Sequence, residues 1–259
     1  MAYAIFPPPS LDVLILGLDS RPGEGEVSRA DSIILMGTQP GRHRISLLSI
    51  PRDLFLATDA YGEQRINAIH MLGEMETPGR GVTLMQESID TAFGIQIDRY
   101  LRLDFEGFVA LVDAVGGVTI DVEHVVEDYA YPTEDGGTMT VRFEPGVQTM
   151  DGARALIYAR TRHGDDDYRR AERQQQVISG LASRLILPWN WPAAVAAIGR
   201  ATDTDINVVD MVRYAPAILL SFGRFDRQVI DRSLITTTIN GNPTPDIDAL
   251  TEWLTERLD

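Results

Sequence analysis

The chain has 259 residues, of which 44% are hydrophobic, and its formal net charge is −15. That length and apolar content suffice to bury the core of one large α/β domain. The acidic balance argues against a protein that coats nucleic acid, because such proteins usually present a broad basic surface to the phosphates. The sequence contains no cysteine, which excludes a disulfide framework, a thiolate metal site and a cysteine nucleophile.

The first predicted strand is Leu11 to Leu18, a continuous apolar run rich in branched residues. Such a run is typical of a strand that is buried on both faces of a parallel or mixed sheet. Ligands bind outside the carboxyl ends of strands in these sheets. We therefore expect Asp19 and Arg21, which follow this strand, to be well placed for binding.

Two further strands are predicted, at Ser32 to Gly37 and at Arg44 to Ile50. The first is introduced by Arg29 and Asp31, and the second ends at Arg52 and Asp53. Aspartates at strand ends are suitable ligands for a hard divalent cation such as Mg²⁺ that bridges a phosphate. The alternative is that the aspartates serve only as turn and cap residues.

Strands and helices alternate in the middle of the chain, which predicts an α/β fold, an α-β-α sandwich with a central mixed β-sheet flanked by helices. After a loop from Tyr61 to Asn67, the segments in order are a helix, a strand, a helix that stops at Gly116 and Gly117, and a strand: Val82 to Phe93, Tyr100 to Phe105, Phe108 to Val115, and Val118 to Val122.

We expect a proline-rich leader at residues 1–10 and a single domain at 11–259. Within it, the motif-bearing core spans 11–180 and a helical part spans 181–259. A hairpin at Thr133 to Pro145 needs no chemical role, and Asp151 is expected to cap a helix that leads to Arg160. The C-terminal part is predicted to hold three helices and a strand, at Trp191 to Ala201, Val208 to Phe222, Asp246 to Leu258 and Gln228 to Ile230.

Positive charge is concentrated between Arg154 and Arg173, which contain six of the 23 basic residues. From Tyr168 onward the apolar spacing predicts a helix, and Arg170, Arg173 and Gln174 extend its inward stripe. A buried guanidinium is costly without a counter-charge, and a helix N-terminus adds partial positive charge. A phosphate fits this site, although solvated ion pairs with the neighbouring acidic residues are the alternative.

Several arginines together are suited to neutralise a pyrophosphate by bidentate contacts, with surface ion pairing as the alternative. They are Arg21, Arg29, Arg52, Arg160, Arg162, Arg170 and Arg173. The four histidines share no metal-ligand spacing, and no nucleophile elbow, phosphate-binding loop or dinucleotide fingerprint occurs. No stretch has the pattern of a membrane span, so we expect the chain as given to be soluble.

Ordered motifs between Asp12 and Ile178 resemble the LytR-CpsA-Psr family. They are GLDSRPG, SRADSI, ISLLSIPRD, INAIH, IDRYLRLDFEGFVALVDAVGGVTIDV, MDGARALIYARTR and DYRRAERQQQVI. The resemblance implies a Mg²⁺-dependent phosphotransferase outside the cytoplasm, anchored in the membrane by an N-terminal helix that is absent from this chain. It would move a glycopolymer from a polyisoprenyl-pyrophosphate carrier to a peptidoglycan hydroxyl, with pyrophosphatase side activity.

The resemblance also implies residue roles. Asp19 and Asp31 would hold Mg²⁺, and Asp53 would orient or deprotonate the acceptor hydroxyl. The pyrophosphate would be held by Arg52, Arg160, Arg162, Arg170 and Gln174, with Arg21, Arg29 and Arg173 near it.

The sequence departs from the family's pattern after Asn67, where a small residue, an aromatic residue and a glycine pair are often found. Here Ala68, Ile69, His70, Met71, Leu72 and Gly73 follow. We therefore expect the acceptor-side loop to differ. Two other functions stay open: a non-catalytic binder of polyprenyl-phosphate lipids, and a pyrophosphatase that acts on smaller substrates.

Overall fold

The computed structural model describes residues 7–19, 27–133, 136–161, 167–185, 187–221 and 225–258. Its internal contacts separate into two compact units. The first unit comprises Met1–Phe105 and Thr202–Asp259, and the second comprises Glu106–Ala201. The expectation of a single domain over 11–259 stays a prediction, and each unit is described by itself.

The strands of the described residues are, in chain order, β1 (Leu11–Leu18), β2 (Ala30–Gln39), β3 (Arg44–Ser49), β4 (Phe55–Thr58), β5 (Gly62–Arg65), β6 (Arg99–Leu103), β7 (Val118–Val122), β8 (Val126–Pro132), β9 (Thr138–Phe143), β10 (Gly146–Met150), β11 (Thr202–Thr204), β12 (Phe225–Val229), β13 (Ile235–Thr237) and β14 (Pro243–Pro245).

The α-helices of the same residues are α1 (Ile66–Glu76), α2 (Arg80–Phe93), α3 (Phe105–Ala114), α4 (Gly152–Arg160), α5 (Asp167–Leu185), α6 (Trp191–Ala201), α7 (Val208–Leu220) and α8 (Ile247–Arg257). Short 3-10 helices lie at Pro40–Arg42, Pro188–Asn190 and Arg232–Leu234. None of the described helices combines the length and the apolar character that crossing a bilayer requires.

The first unit is built on a mixed sheet whose described strands follow the order β11-β6-β1-β2-β3-β12. Strand β1 pairs parallel with β6 and antiparallel with β2. Because side chains alternate along a strand, Leu14 and Leu16 face one side of the sheet while Val13 and Ile15 face the other, and all four are buried. The predicted mixed sheet and its doubly buried first strand are therefore confirmed.

Helices α1, α2 and α8 cover one face of this sheet. Their apolar residues, including Ile66, Ile89 and Leu250, form one core cluster with Leu14 and Leu16. Helix α7 contacts β2 and β3. The predicted flanking of the sheet by helices is thus confirmed in this unit.

The second unit contains α3 to α6 and two antiparallel strand pairs, β7 with β10 and β8 with β9. Strand β7 has the predicted bounds, but it lies outside the central sheet, in contrast to what the alternation of strands and helices suggested. Its residues alternate between buried and exposed, as expected for a strand with one covered face. Helix α5 supplies that cover, since Gly180 lies against Val118 and Thr119.

The predicted loop at Tyr61 to Asn67 is wrong in part. The β4–β5 hairpin spans Phe55 to Arg65 with paired backbone, and α1 begins at Ile66. The hairpin predicted at Thr133 to Pro145 is formed by β8 and β9, which begin and end earlier than expected.

Candidate functional site

The first part of the candidate site lies where β1 ends beside the start of β2. The register runs from Gly17 opposite Ser32 directly to Leu18 opposite Ala30, so Asp31 is the extra residue of a β-bulge. Bulges at the rim of a sheet re-aim side chains and often lie beside active sites. The amide of Asp19 donates to the carbonyl oxygen of Arg29 at 3.1 Å. Asp19 and Asp31 therefore lie at the same end of two neighbouring strands.

Arg52 binds the carboxylate of this bulge. Its Nη1 donates to Asp31 Oδ2 at 2.6 Å, a short charge-assisted contact between two side chains that are mostly buried. Its Nε is buried, has no hydrogen-bond partner among the described residues, and lies 3.9 Å from Asp53 Oδ2. Asp31 and Arg52 therefore form an ion pair that is mostly buried, and the proposed roles of both residues in ligand binding stay predictions.

The main chain around Arg52 is fixed by the start of α1. The amide of Ile66 donates to Leu54 O at 2.7 Å, and the amide of Asn67 donates to Arg52 O at 3.3 Å. Both donors belong to the first turn of the helix, where amides have no partner within the helix. Arg52 is therefore held on its side chain by the bulge and on its backbone by α1.

The donor chemistry of this region suits Mg²⁺. Magnesium usually takes one or two protein carboxylates and completes its shell with water and phosphate oxygens. Asp19 is exposed and Asp31 is partly exposed, so both are accessible from solvent. A carboxylate has about four acceptor positions, so the bond from Arg52 does not exhaust the capacity of Asp31 to bind a cation.

The second unit carries three of the predicted arginines, Arg160 on α4 and Arg170 and Arg173 on α5. Arg160 is the last residue of α4, and its Nη1 donates to the hydroxyl oxygen of Tyr131 at 3.5 Å. Burial raises the pKa of the Tyr131 phenol, while the nearby Arg160 acts in the opposite direction. The phenol therefore keeps its proton at neutral pH and can itself donate a hydrogen bond.

The inward face of α5 begins with arginine, as predicted. Arg170 and Arg173 are only 6% and 4% exposed. Arg173 donates from Nε to Tyr158 O at 3.2 Å and from Nη2 to Thr161 O at 2.5 Å. These carbonyls flank Arg160, so Arg173 braces the end of α4 from both sides. Gln174 on the same helix is partly exposed.

The structure thus places the predicted residues in two sets. Asp19, Arg29, Asp31, Arg52 and Asp53 lie together in the first unit, where Arg29 is exposed and Asp53 is partly exposed. Arg160, Arg170, Arg173 and Gln174 lie on neighbouring helices of the second unit. Two predicted residues, Arg21 and Arg162, lie outside the described residues.

Sequence reasoning missed two polar residues of these surroundings, Tyr131 and His70. Tyr131 falls in a hairpin to which no role was assigned, and its partner Arg160 is 29 residues away. His70 lies 42 residues from its partner Ser28. No spacing or motif in the chain links either pair.

The comparisons with known proteins agree with the motifs. A model described as the LytR_cpsA_psr family matches residues 8–243. The chain is 33% identical over 171 residues to the polyisoprenyl-teichoic acid--peptidoglycan teichoic acid transferase TagU of Oceanobacillus iheyensis, which covers 65% of this chain and 49% of that protein. It is 30% identical over 232 residues to TagV of Bacillus subtilis, covering 86% of this chain and 56% of TagV. The chain therefore spans about half the length of these curated relatives.

Solved structures have the same fold. The crystal structure of B. subtilis TagV matches with a TM-score of 0.74 at 22% identity, covering 97% of this chain and 98% of that one. Protein gbs0355 from Streptococcus agalactiae matches with a TM-score of 0.76 at 20% identity, covering 98% and 89%. A structure of TagT bound to LIIa-WTA matches with a TM-score of 0.72 at 22% identity, covering 96% and 91%. At these identities the likeness establishes the fold alone.

Proposed function

The chain belongs to the LytR-CpsA-Psr family, and from that membership we propose that it is a phosphotransferase of glycopolymers. It moves the polymer from a polyisoprenyl-pyrophosphate carrier to a hydroxyl of peptidoglycan. The observation that carries the proposal is the match of the family model to residues 8–243. The grouping of Asp19, Asp31 and Arg52 at one end of the sheet supplies a site with chemistry that suits a metal-bound phosphate. The site of action outside the cytoplasm and an N-terminal membrane anchor are part of the same proposal.

We assign Asp19 and Asp31 as the ligands of Mg²⁺, which when bound would neutralise charge on the diphosphate. Guanidiniums bind phosphate oxygens in a bidentate geometry, so Arg52 of the first unit and Arg160 and Arg170 of the second are each proposed as phosphate ligands. Arg162, Gln174, Arg21 and Arg29 complete this proposed set. Arg173 acts through Arg160, because its donors bind the carbonyls on either side of that residue.

The reaction needs positioning and charge neutralisation more than covalent participation by the protein. The oxygen of the acceptor hydroxyl attacks the phosphorus that bears the glycan, and the bond to the polyprenyl phosphate breaks in line. The leaving lipid phosphate takes the electron pair, and the hydroxyl proton passes to a base. Asp53 is proposed as that base, since its carboxylate is half-exposed and lies 3.9 Å from Arg52, a proposed ligand of the phosphate.

The proposal is tested with a long-chain polyprenyl pyrophosphate and the purified protein. With Mg²⁺ we expect phosphate release that a chelator abolishes, and Asp31→Asn should lose both the activity and its response to metal. Asp226→Asn is the matched control, because Asp226 lies on β12 of the same sheet and also pairs with an arginine, Arg257 of α8, at 3.3 Å. Lipid binding without turnover, with and without metal and with a peptidoglycan acceptor present, would favour a non-catalytic lipid binder instead.

A further inference from the structure

Helix α1 carries a fully buried imidazole that the proposed chemistry does not use. His70 is 0% exposed, and its Nδ1 lies 2.9 Å from the carbonyl oxygen of Ser28. A carbonyl oxygen only accepts hydrogen bonds, so Nδ1 must carry a proton and donate it. The hydrogen-bond geometry thereby fixes both the orientation of the ring and its Nδ1–H.

The other side of the ring faces a buried ion pair. Its Nε2 lies 3.7 Å from Glu74 Oε1 and 3.4 Å from Arg102 Nη1, which are themselves 3.0 Å apart. Glu74 also accepts hydrogen bonds from the amides of Gly79 and Gly81, at 2.8 Å and 3.1 Å, where α2 begins. The imidazole ring therefore packs against the Glu74–Arg102 ion pair, which connects α1, α2 and β6.

The Ser28 carbonyl belongs to the segment that leads into the β-bulge. The next carbonyl, that of Arg29, accepts from the amide of Asp19 at 3.1 Å. Two residues further, Asp31 binds Arg52. His70 and Asp19 thus hold consecutive carbonyls of the strand entry that presents Asp31.

The same helix also holds the partner of Asp31. The amide of Asn67 donates to Arg52 O at 3.3 Å, one turn before His70. Helix α1 therefore fixes the main chain on both sides of the Asp31–Arg52 contact. A displacement of either segment would change the distance between the two charged groups.

We infer that His70 is a positioning residue, whose Nδ1–H bond transmits the position of the buried Glu74–Arg102 pair to the Ser28–Asp31 segment. The inference rests on the proposed function only for its effect on turnover. His70 lies in the stretch after Asn67 that departs from the family's pattern.

Three substitutions separate this role from simple core packing. In His70→Asn the amide nitrogen replaces Nδ1 and keeps the bond to Ser28. In His70→Gln the amide nitrogen replaces Nε2 instead, and in His70→Leu a side chain of similar size makes neither contact. If His70 acts by positioning, His70→Asn should stay closer to wild type than His70→Gln and His70→Leu. If His70 only fills space in the core, His70→Asn should depart furthest from wild type, because asparagine is the smallest of the three side chains and leaves a cavity.

The first readout needs no substrate. Exchange of the Asp19 amide proton, measured by NMR, reports how firmly the Arg29 carbonyl is held. We expect exchange within twofold of wild type in His70→Asn and about fivefold or more faster in His70→Gln and His70→Leu, the effect of losing one net hydrogen bond. Equal exchange in all variants, or fastest exchange in Asn, would overturn the inference. Should the Leu variant not fold, the Asn and Gln variants decide.

The second readout is turnover of polyprenyl pyrophosphate. We expect kcat to fall about tenfold in His70→Gln and His70→Leu with KM within about twofold, and to recover in His70→Asn. Met75→Ala is the control, since Met75 lies on the same helix and is 66% exposed. Unchanged kcat in the Gln and Leu variants contradicts the inference. An inactive wild type would count against the proposed function alone, because amide exchange still tests His70.

Discussion

The neutral side chain of Tyr131 contacts Arg160, which is a proposed phosphate ligand. The guanidinium carbon of Arg160 lies 6.0 Å from the centre of the Tyr131 ring, and its Nη1 donates to the phenol oxygen. The phenol proton is then available for a further acceptor. We expect this hydroxyl to hold Arg160 in one rotamer and to add a donor towards the substrate.

Tyr131→Phe removes the hydroxyl and keeps the ring. We expect lipid-pyrophosphate turnover to fall about fivefold, consistent with the loss of one hydrogen bond, while the melting temperature stays near that of wild type. Because burial raises the pKa of Tyr131, its proton is retained between pH 6 and 9, and the variant should keep the wild-type shape of the pH–rate profile.

Tyr129→Phe is the control on the same strand. Tyr129 is 68% exposed and donates to Glu127 at 2.6 Å, so its hydroxyl should not affect the rate. Equal rates for Tyr131→Phe and wild type would show that the Tyr131 hydroxyl has no part in the site.

Residue types near strand ends could be predicted from the sequence, whereas their partners could not. Asp31, Arg52 and the inward arginines of α5 follow directly from runs of apolar residues and from helical spacing. Tyr131 and His70 act through contacts that span 29 and 42 residues. Such contacts depend on the tertiary fold and leave no local pattern in the chain.

At the scale of elements, the corner between α4 and α5 depends on Arg173. Helix ends leave carbonyls without partners inside the helix, and Arg173 satisfies those of Tyr158 and Thr161. A second link joins the same helices, since the Tyr158 hydroxyl donates to Gln176 at 2.7 Å. The position of Arg160 follows from these two contacts.

Arg173→Met keeps the long apolar stem and removes the donors. We expect the free energy of unfolding to fall by about 2 kcal/mol, because buried acceptors lose charged donors. Turnover should fall with it under conditions where the variant is fully folded. Urea denaturation measures the first effect, with the exposed Arg169→Met as control. A stability equal to wild type would mean that water replaces these bonds without loss.

The crossing of α1 and α2 is possible only because two glycines meet. A Cβ on Gly73 would lie 2.7 Å from the Cα of Gly81, and a Cβ on Gly81 would lie 2.6 Å from His70 O. Helix α1 is missing from the sequence-based prediction because its segment contains asparagine, histidine and glycine, which are weak helix formers. Packing against α2 and the sheet stabilises it instead.

Gly73→Ala should therefore lower the free energy of unfolding by about 1–3 kcal/mol, since the helices must separate to admit the methyl group. Thermal and urea unfolding measure this change. Gly41→Ala is the matched control, as its Cβ would lie at an ordinary distance of 3.4 Å from Pro7. Similar effects of the two substitutions would show that the helix crossing tolerates the added methyl group.

At the scale of the whole molecule, acid stability should depend in part on Asp210. Its carboxylate accepts from Arg99 at 2.8 Å and closes the capping box of α7 with Asn207. The hydrogen bond from Arg99 lowers the pKa of Asp210 below its ordinary value. A carboxylate with a depressed pKa stabilises the folded state above its unfolded pKa, near 4, and loses that contribution as the pH falls through its folded pKa.

Asp210→Asn should accordingly lower the melting temperature at pH 7, and the difference from wild type should shrink towards pH 3. Calorimetry at pH 7, 5 and 3 measures this. The exposed Glu252→Gln serves as control and should change nothing at any pH. A difference for Asp210→Asn that stays constant down to pH 3 would contradict the role of this ion pair.

The fold class could be predicted from the chain for two reasons. The segments of β1 to β3 are either apolar throughout or alternate between apolar and polar residues, and the predicted strands and helices follow one another in turn. The partner of β7 could not be predicted, since the segment only shows that one face is buried. Its pairing with β10 joins Val118 to Met150 across the chain. Sheet membership is therefore decided by long-range packing.

The most direct test of the proposed function is transfer itself. A polyprenyl-diphosphate saccharide labelled in the sugar is incubated with the protein, Mg²⁺ and peptidoglycan fragments, and both products are counted. We predict one sugar phosphate attached to peptidoglycan for each polyprenyl phosphate released, and neither product with Asp31→Asn. Release of the lipid phosphate without any label on peptidoglycan, at every acceptor concentration, would contradict the transferase and indicate a pyrophosphatase.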